Sequence, residues 1–158
     1  QHGEALWDML FEAGKDLDVR AGCPNLIERI EAGLLSYGND MSIDDTPFES
    51  GLGKYCNLDT ATGCLGHAAL MQKQNPGRQI RPLAVAGPAV PPISWSWLLT
   101  DTTGNAAGHV SSITWSPDFE INVAIGMIHK DHWTAGTTLH VQAPDEPRAA
   151  EVRDSFWI

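Results

Sequence analysis

The sequence predicts an α+β chain, helical in its first half and antiparallel β in its second, and three observations carry that prediction. Apolar residues recur with a helical period near the start. The period changes from 3.6 to 2 beyond the Asn75-Pro76-Gly77 break, and six short strand candidates separated by turn residues then fill the remaining half.

The elements follow in order. From Glu4 to Ala13 (EALWDMLFEA), Leu6, Met9, Leu10 and Ala13 stand at i, i+3, i+4 and i+7, the spacing of a buried helical stripe, and Gly14 supplies a stop. A second helix is expected to begin at Pro24, whose fixed φ suits a first turn, and to run to about Ser36 with Ile27, Ile30 and Leu34 inward, ending at Gly38. Gly33 inside it marks a place where something approaches closely. Asn39 to Gly53 is turn-rich, yet Met41, Ile43, Phe48 and Leu52 give it side chains to bury, so it reads as an ordered loop. A short strand near Tyr55 to Leu58 and a helix from about Gly66 to Lys73 complete this half.

The strand candidates are Gln79 to Val85, Ser96 to Thr100, Gly108 to Trp115, Ile121 to Ile128, Thr137 to Gln142 and Ala149 to Arg153. In the fourth, Ile121, Val123, Ile125 and Met127 alternate with Asn122, Ala124 and Gly126. Asp101 to Asn105 and Ser116-Pro117-Asp118 are hairpin connections. Six such strands suit a small antiparallel barrel or a sandwich.

With 158 residues, the chain can bury a core without staples. Ten basic against twenty acidic side chains give a net charge of −10, and no Lys/Arg cluster is present, which argues against nucleic acid as a partner. No stretch is apolar enough to span a membrane and no signal pattern opens the chain, so a soluble, cytoplasmic protein is expected. Cys23, Cys56 and Cys64 form no CxxC pair and read as reduced, buried thiols. The chain opens on Gln1 and enters a helical pattern at once, as a fragment would.

Local motifs carry little chemistry. His129-Lys-Asp-His132, with His67, His109 and His140 elsewhere, reads as a polar turn ahead of a metal site, and no metal is assigned. Asp40, Asp44, Asp45 and Glu49 form an acidic loop without calcium-loop spacing, so capping is the favoured role. Five of the six Trp, namely Trp95, Trp97, Trp115, Trp133 and Trp157, fall in the β half, where plugging a barrel is favoured over stacking on a heterocycle. Hydrolase elbows, P-loops and dinucleotide fingerprints are absent.

Longer motifs in order are more specific. The run Arg29 to Met41 (RIEAGLLSYGNDM), then Thr46 to Leu52 (TPFESGL), Leu58-Asp59, and Leu65 to Leu70 (LGHAAL) resembles the glycine cleavage T-protein (aminomethyltransferase) family. Ala5 to Gly14 fits as well. The β half continues the likeness through Gly104 to Gly108, Val110-Ser-Ser112, Ser116-Pro117, Gly126 and Gly136-Thr137. The resemblance implies that residues 1–77 are the helical end of a folate-binding core and residues 78–158 a C-terminal antiparallel β-barrel. It implies tetrahydrofolate as cofactor, a small methylated substrate, and transfer of a one-carbon unit to N5 of folate.

The family's catalytic acid and its G-Y-T-G-E segment belong to an N-terminal folate-binding region that this chain lacks, so no catalytic residue is assigned. Arg29, Glu31, Tyr37, Lys54 and Tyr55 are the residues expected nearest folate or substrate, although Arg29 and Glu31 also read as an ion pair tying helix to barrel. The family's Arg, Trp and Tyr positions hold Asn25, Lys54 and Met127 here. These departures point away from aminomethyl transfer from a lipoyl carrier. The stretches Ile27 to Tyr37, Pro92 to Trp95 and Ile125 to Ile128 are more similar to the folate-dependent demethylase branch, which includes dimethylsulfoniopropionate demethylase. The alternatives are a true glycine cleavage aminomethyltransferase and a non-catalytic folate-binding or scaffold module.

Overall fold

The computed structural model describes residues 2–19, 25–91, 93 and 95–158. Its helices are α1 (Gly3–Ala13), α2 (Leu26–Glu31) and α3 (His67–Met71), with single 3₁₀ turns at Lys15–Leu17, Gly53–Tyr55 and Lys130–His132. Its strands are β1 (Arg78–Val85), β2 (Trp97–Thr100), β3 (Ala106–Ser116), β4 (Ile121–His129), β5 (Thr138–Gln142) and β6 (Pro147–Val152). All six strand candidates are present. Pairing runs β1-β4-β3-β2-β5-β6 and closes back on β1, every pair antiparallel, so the barrel alternative holds over the sandwich.

Closure divides the apolar residues into two layers. Inside the barrel lie Leu83, Val85, Trp97, Leu99, Val110, Ile113, Ala124, Ile128, Leu139, Val141 and Val152. Outside it, Ile80, Val123, Ile125 and Met127 pack with Ile30 of α2, Leu35, Phe156 and Trp157. β4 is therefore buried on both faces, which explains why its alternation sets large aliphatics against small residues rather than against charges. Val110 and Ile113 both face inward despite odd spacing, because the register against β4 shifts between Val110 and Ser112 and leaves Ser111 as a bulge.

α2 is shorter than expected. Asn25 caps it by accepting from the Glu28 amide at 2.9 Å, and the expected start at Pro24 lies outside the described residues. The helix ends before Gly33, which adopts φ +69° while Phe156 packs where a β-carbon would stand. Gly33 is thus a terminator, its close approach is the Phe156 ring, and Leu34 points to solvent. The expected strand at Tyr55–Leu58 is the end of a 3₁₀ turn followed by irregular chain and a turn, since a closed barrel offers no edge for a further strand.

Other expectations of burial fail too. The Leu6, Met9 and Leu10 stripe of α1 is exposed, and so is Ile43. Cys64 is exposed and Cys56 half-buried, both as free thiols, while Cys23 lies outside the described residues. Of the tryptophans, Trp97 enters the barrel core, Trp133 and Trp157 pack partly against the two layers, and Trp95 is exposed.

Asn122 fixes the chain leaving β1. Fully buried, its side chain donates to the carbonyls of Val85, Gly87 and Pro88 and accepts from the Val90 amide at 3.0 Å. Replacing it with Leu orphans these groups, and urea unfolding is expected to show a loss of about 2–4 kcal/mol.

Candidate functional site

The outer layer between α2, the 34–55 segment and the barrel wall collects most of the polar residues singled out in the sequence. Its centre is Asp40, whose side chain has no exposed surface. Its carboxylate accepts from Arg29 Nη1 (2.8 Å), the Ser36 amide (2.8 Å), Ser111 Oγ (2.7 Å) and Ser112 Oγ (2.6 Å). Arg29 Nη2 also donates to Ser112 Oγ at 2.6 Å. The β3 bulge makes this possible, since it presents two consecutive hydroxyls to one carboxylate. Arg29 does tie helix to barrel, through Asp40 and directly through Ser112, and not as a pair with Glu31. Glu31 accepts from Trp157 and Ile158 only with its backbone carbonyl.

A second tie stands beside the first. Arg78, at the start of β1, donates to Asp45 Oδ1 and Glu49 Oε1, each at 2.9 Å. Glu49 and Thr46 cap one another, the Thr46 amide donating to Glu49 Oε2 at 2.7 Å and the Glu49 amide to Thr46 Oγ1 at 3.2 Å. Asp45 accepts from the Ser42 amide at 2.8 Å. The acidic loop is consequently a set of caps and ion pairs, as its irregular spacing suggested.

Three concavities open around these ties. One of about 300 Å³ is lined by Asn39, Ser42, Asp44, Arg78, His109 and Met127. A second, of about 310 Å³, is lined by Gly33, Gly51, Lys54, Tyr55 and Phe156, with Lys54 Nζ 5.1 Å from the Tyr55 ring centroid. The third, about 440 Å³, runs between α2 and the β3–β4 turn and includes Arg29 and Glu31. Lys54 and Tyr55 therefore share one pocket, Arg29 and Glu31 wall another, and Tyr37 stands exposed on a turn that its backbone closes against Met41.

Sequence reasoning missed Arg78 and the role of Ser111 and Ser112. A basic residue immediately after a Pro-Gly break, opposite an acidic loop, was the available signal for Arg78. His129 to His132 forms a strand end and a 3₁₀ turn. Among the described residues, no three His, Cys, Asp or Glu side chains gather as a metal site would require.

Comparison with known proteins follows this geometry. The GCVT N-terminal domain matches residues 1–60, and the glycine cleavage T-protein C-terminal barrel domain matches residues 78–157, the whole of the closed barrel. The chain belongs to the glycine cleavage T-protein family. The chain is 51% identical to dimethylsulfoniopropionate demethylase of Ruegeria pomeroyi over 98% of its own length and 42% of that protein's. It is 34% identical to an aminomethyltransferase of Prochlorococcus marinus over 98% of its length and 41% of the relative's. The crystal structure of glycine cleavage system aminomethyltransferase T from Bartonella henselae superposes with a TM-score of 0.72 at 26% identity, covering 82% of this chain and 37% of that one. The chain thus spans about two-fifths of the length of the curated relatives it matches.

His109 and Glu49, in this layer, both titrate below their ordinary values. Burial, followed by the nearby Arg78 charge, pushes His109 below the usual imidazole value of 6.5. Burial pushes Glu49 upward, but the Thr46 amide, the Arg78 guanidinium and the Thr46 hydroxyl outweigh it and hold the carboxyl below 4.5. In both cases the unfolded chain binds the proton more readily. Stability is therefore expected to fall on acidification first below pH 6.5 and again below pH 4.5. Denaturant midpoints measured across pH check this, with His109→Gln flattening the first step and Glu49→Gln the second. Asp40→Ala leaves Arg29 without its carboxylate and is expected to cost about 3–5 kcal/mol in the same measurement.

Proposed function

We propose that this chain is the barrel-bearing portion of a tetrahydrofolate-dependent demethylase that moves a methyl group from a small methylsulfonium compound to folate. The observation that carries the proposal is the 51% identity, over 98% of the chain, to a protein named for demethylating dimethylsulfoniopropionate. Aminomethyltransferases match at 27–34%, so aminomethyl transfer is the weaker reading. Residues 1–77 are read as the end of the folate-binding core and residues 78–158 as the barrel.

The second concavity suits a reduced pterin with an anionic tail. Tyr55 and Phe156 offer flat faces, Lys54 offers a cation, and the bare backbone of Gly51 admits a close neighbour. Lys54 and Tyr55 would hold the folate, with Arg29, Glu31 and Tyr37 nearby as supporting residues. When bound, tetrahydrofolate supplies the nitrogen that receives the carbon.

Transfer from a sulfonium asks the protein for orientation and for one proton to be accepted. The Asp40 and Arg78 ties serve the first need, since they hold the loop from Asp40 to Glu49, which leads into Lys54 and Tyr55, against the barrel wall. The exposed apolar face of α1, with Leu6, Trp7, Met9 and Leu10, is read as the surface that packs on the N-terminal folate-binding region of the full-length enzyme.

A chimera tests the proposal. When this chain replaces the corresponding two-fifths of the Ruegeria pomeroyi demethylase, methylation of tetrahydrofolate by dimethylsulfoniopropionate is expected to persist within about tenfold in kcat/KM. A chimera that folds and loses that activity, or that gains aminomethyl transfer, overturns it. In the active chimera, Lys54→Ala and Tyr55→Ala are each expected to raise the tetrahydrofolate Kd about tenfold without lowering Tm, because both side chains are solvent-facing.

A further inference from the structure

The first concavity sets an imidazole beside the Arg78 tie. His109, half-buried on β3, shares its walls with Arg78 from the start of β1 and with Asp40, Asp44 and Asp45 of the acidic loop. Its neighbours across the strands, Met127 on β4 and Leu98 on β2, carry no charge. The charges that reach the ring are those of Arg78, of Asp45 and of His129 at the end of β4. Burial and then Arg78 favour the neutral ring, Asp45 favours the charged one, and His129 adds to the first side.

Asp45 is therefore the carboxylate over which two cations compete once His109 is protonated. With the ring neutral, Asp45 Oδ1 and Glu49 Oε1 both serve Arg78. With it charged, two like charges face one cavity, and each is stabilised by the same Asp45. The tie is able to yield, because it is partly exposed and its pairs are individually weak, and a cavity of about 300 Å³ gives the Asp45 side chain room to turn. The Asp40 end of the loop has no such freedom, since that carboxylate is wholly buried among four short hydrogen bonds. Three contacts hang on the weaker end. The Ser42 amide donates to Asp45 Oδ2 at 2.8 Å, the Thr46 amide to Glu49 Oε2 at 2.7 Å, and the Ile80 amide to the Glu49 carbonyl at 2.7 Å.

We infer that His109 is an acid-operated latch: on taking up a proton the imidazole draws Asp45 from Arg78, and the loop from Ser42 to Glu49 releases β1 while its Asp40 end stays in place. Release lifts burial and the Arg78 charge from the ring, so the released form binds the proton more tightly. Its population grows as pH falls through 6.5. The inference stands on this cavity and does not depend on methyl transfer.

Amide hydrogen exchange of the 158-residue chain, corrected for the intrinsic effect of pH on exchange, tests it. From about pH 7.5 to about pH 5.5, protection of the Thr46 and Ile80 amides is expected to fall at least about threefold, while that of the Ser36 amide, held by Asp40, stays constant. His109→Gln is expected to remove the fall and His129→Gln to keep it. Constant protection at Thr46 and Ile80, an equal fall at Ser36, a full fall in His109→Gln, or its loss in His129→Gln overturns the inference. Should His109→Gln fail to fold, linkage supplies a second test, because a proton that weakens the Arg78 tie must itself be bound more tightly when that tie is removed. Arg78→Gln is then expected to raise the His109 titration midpoint, read by NMR from the imidazole protons, and an unmoved midpoint overturns the inference.

Discussion

The Asp40 carboxylate is out of water altogether, and a charge so placed is tolerable only when donors surround it. Here those donors come from three separate stretches of chain: Arg29 from α2, the Ser36 amide from the loop after it, and Ser111 and Ser112 from the β3 bulge. Asn39 adds a further strap by donating to the Ser111 carbonyl at 3.0 Å and to Ser112 Oγ at 2.8 Å. Because each donor is useful only at hydrogen-bond distance, satisfying one carboxylate fixes the position of the helical segment on the barrel. Hydrophobic burial of Ile30 beneath it supplies attraction, but apolar contact has no direction and would not alone define the register.

The Arg78 tie differs in kind. Its guanidinium is 39% exposed, so its pairs with Asp45 and Glu49 are screened and individually weak. Its consequence is geometric. It secures the far end of the loop that begins at Asp40, and the Ile80 amide donating to the Glu49 carbonyl at 2.7 Å extends the same contact along β1. Between the two ties, the segment from Ser42 to Glu49 is held at both ends without a strand or a helix of its own.

This division explains what could be read from the sequence. The six strands were legible because period 2 and turn residues are local signals, and β4 was plainest because its two faces differ in side-chain size. The length of α2 was not legible, since it is set by Gly33 meeting Phe156, which arrives from the far end of the chain. The apparent strand at Tyr55–Leu58 had suitable residues but no open edge to join. At the candidate site, Lys54 and Tyr55 are sequence neighbours and share a pocket. The ion pair read between Arg29 and Glu31, by contrast, conflicts with helix geometry, and the true partner Asp40 lies in a loop that spacing alone marked only as caps. The Asp40 hub depends on a bulge in β3, and no local pattern announces where a barrel strand will take up an extra residue.

The bend at Gly33 also relates the two ligand-sized spaces. Ala32 and Leu34 line both the Lys54–Tyr55 pocket and the Glu31 groove, with Gly33 between them at φ +69°. The wall shared by the two spaces is therefore a single turn of backbone, pinned on one side by Phe156 and on the other by Arg29 donating to the Leu34 carbonyl at 3.0 Å. A ligand in either space presses on that turn, and the turn cannot yield without disturbing Arg29 and thus the Asp40 carboxylate. Packed elements of this kind resist continuous deformation, so the two spaces communicate only to the extent that the Asp40 network has a second arrangement. With four donors within 2.8 Å of that carboxylate, those strong bonds favour one arrangement, and the two spaces lie on either side of a common rigid wall.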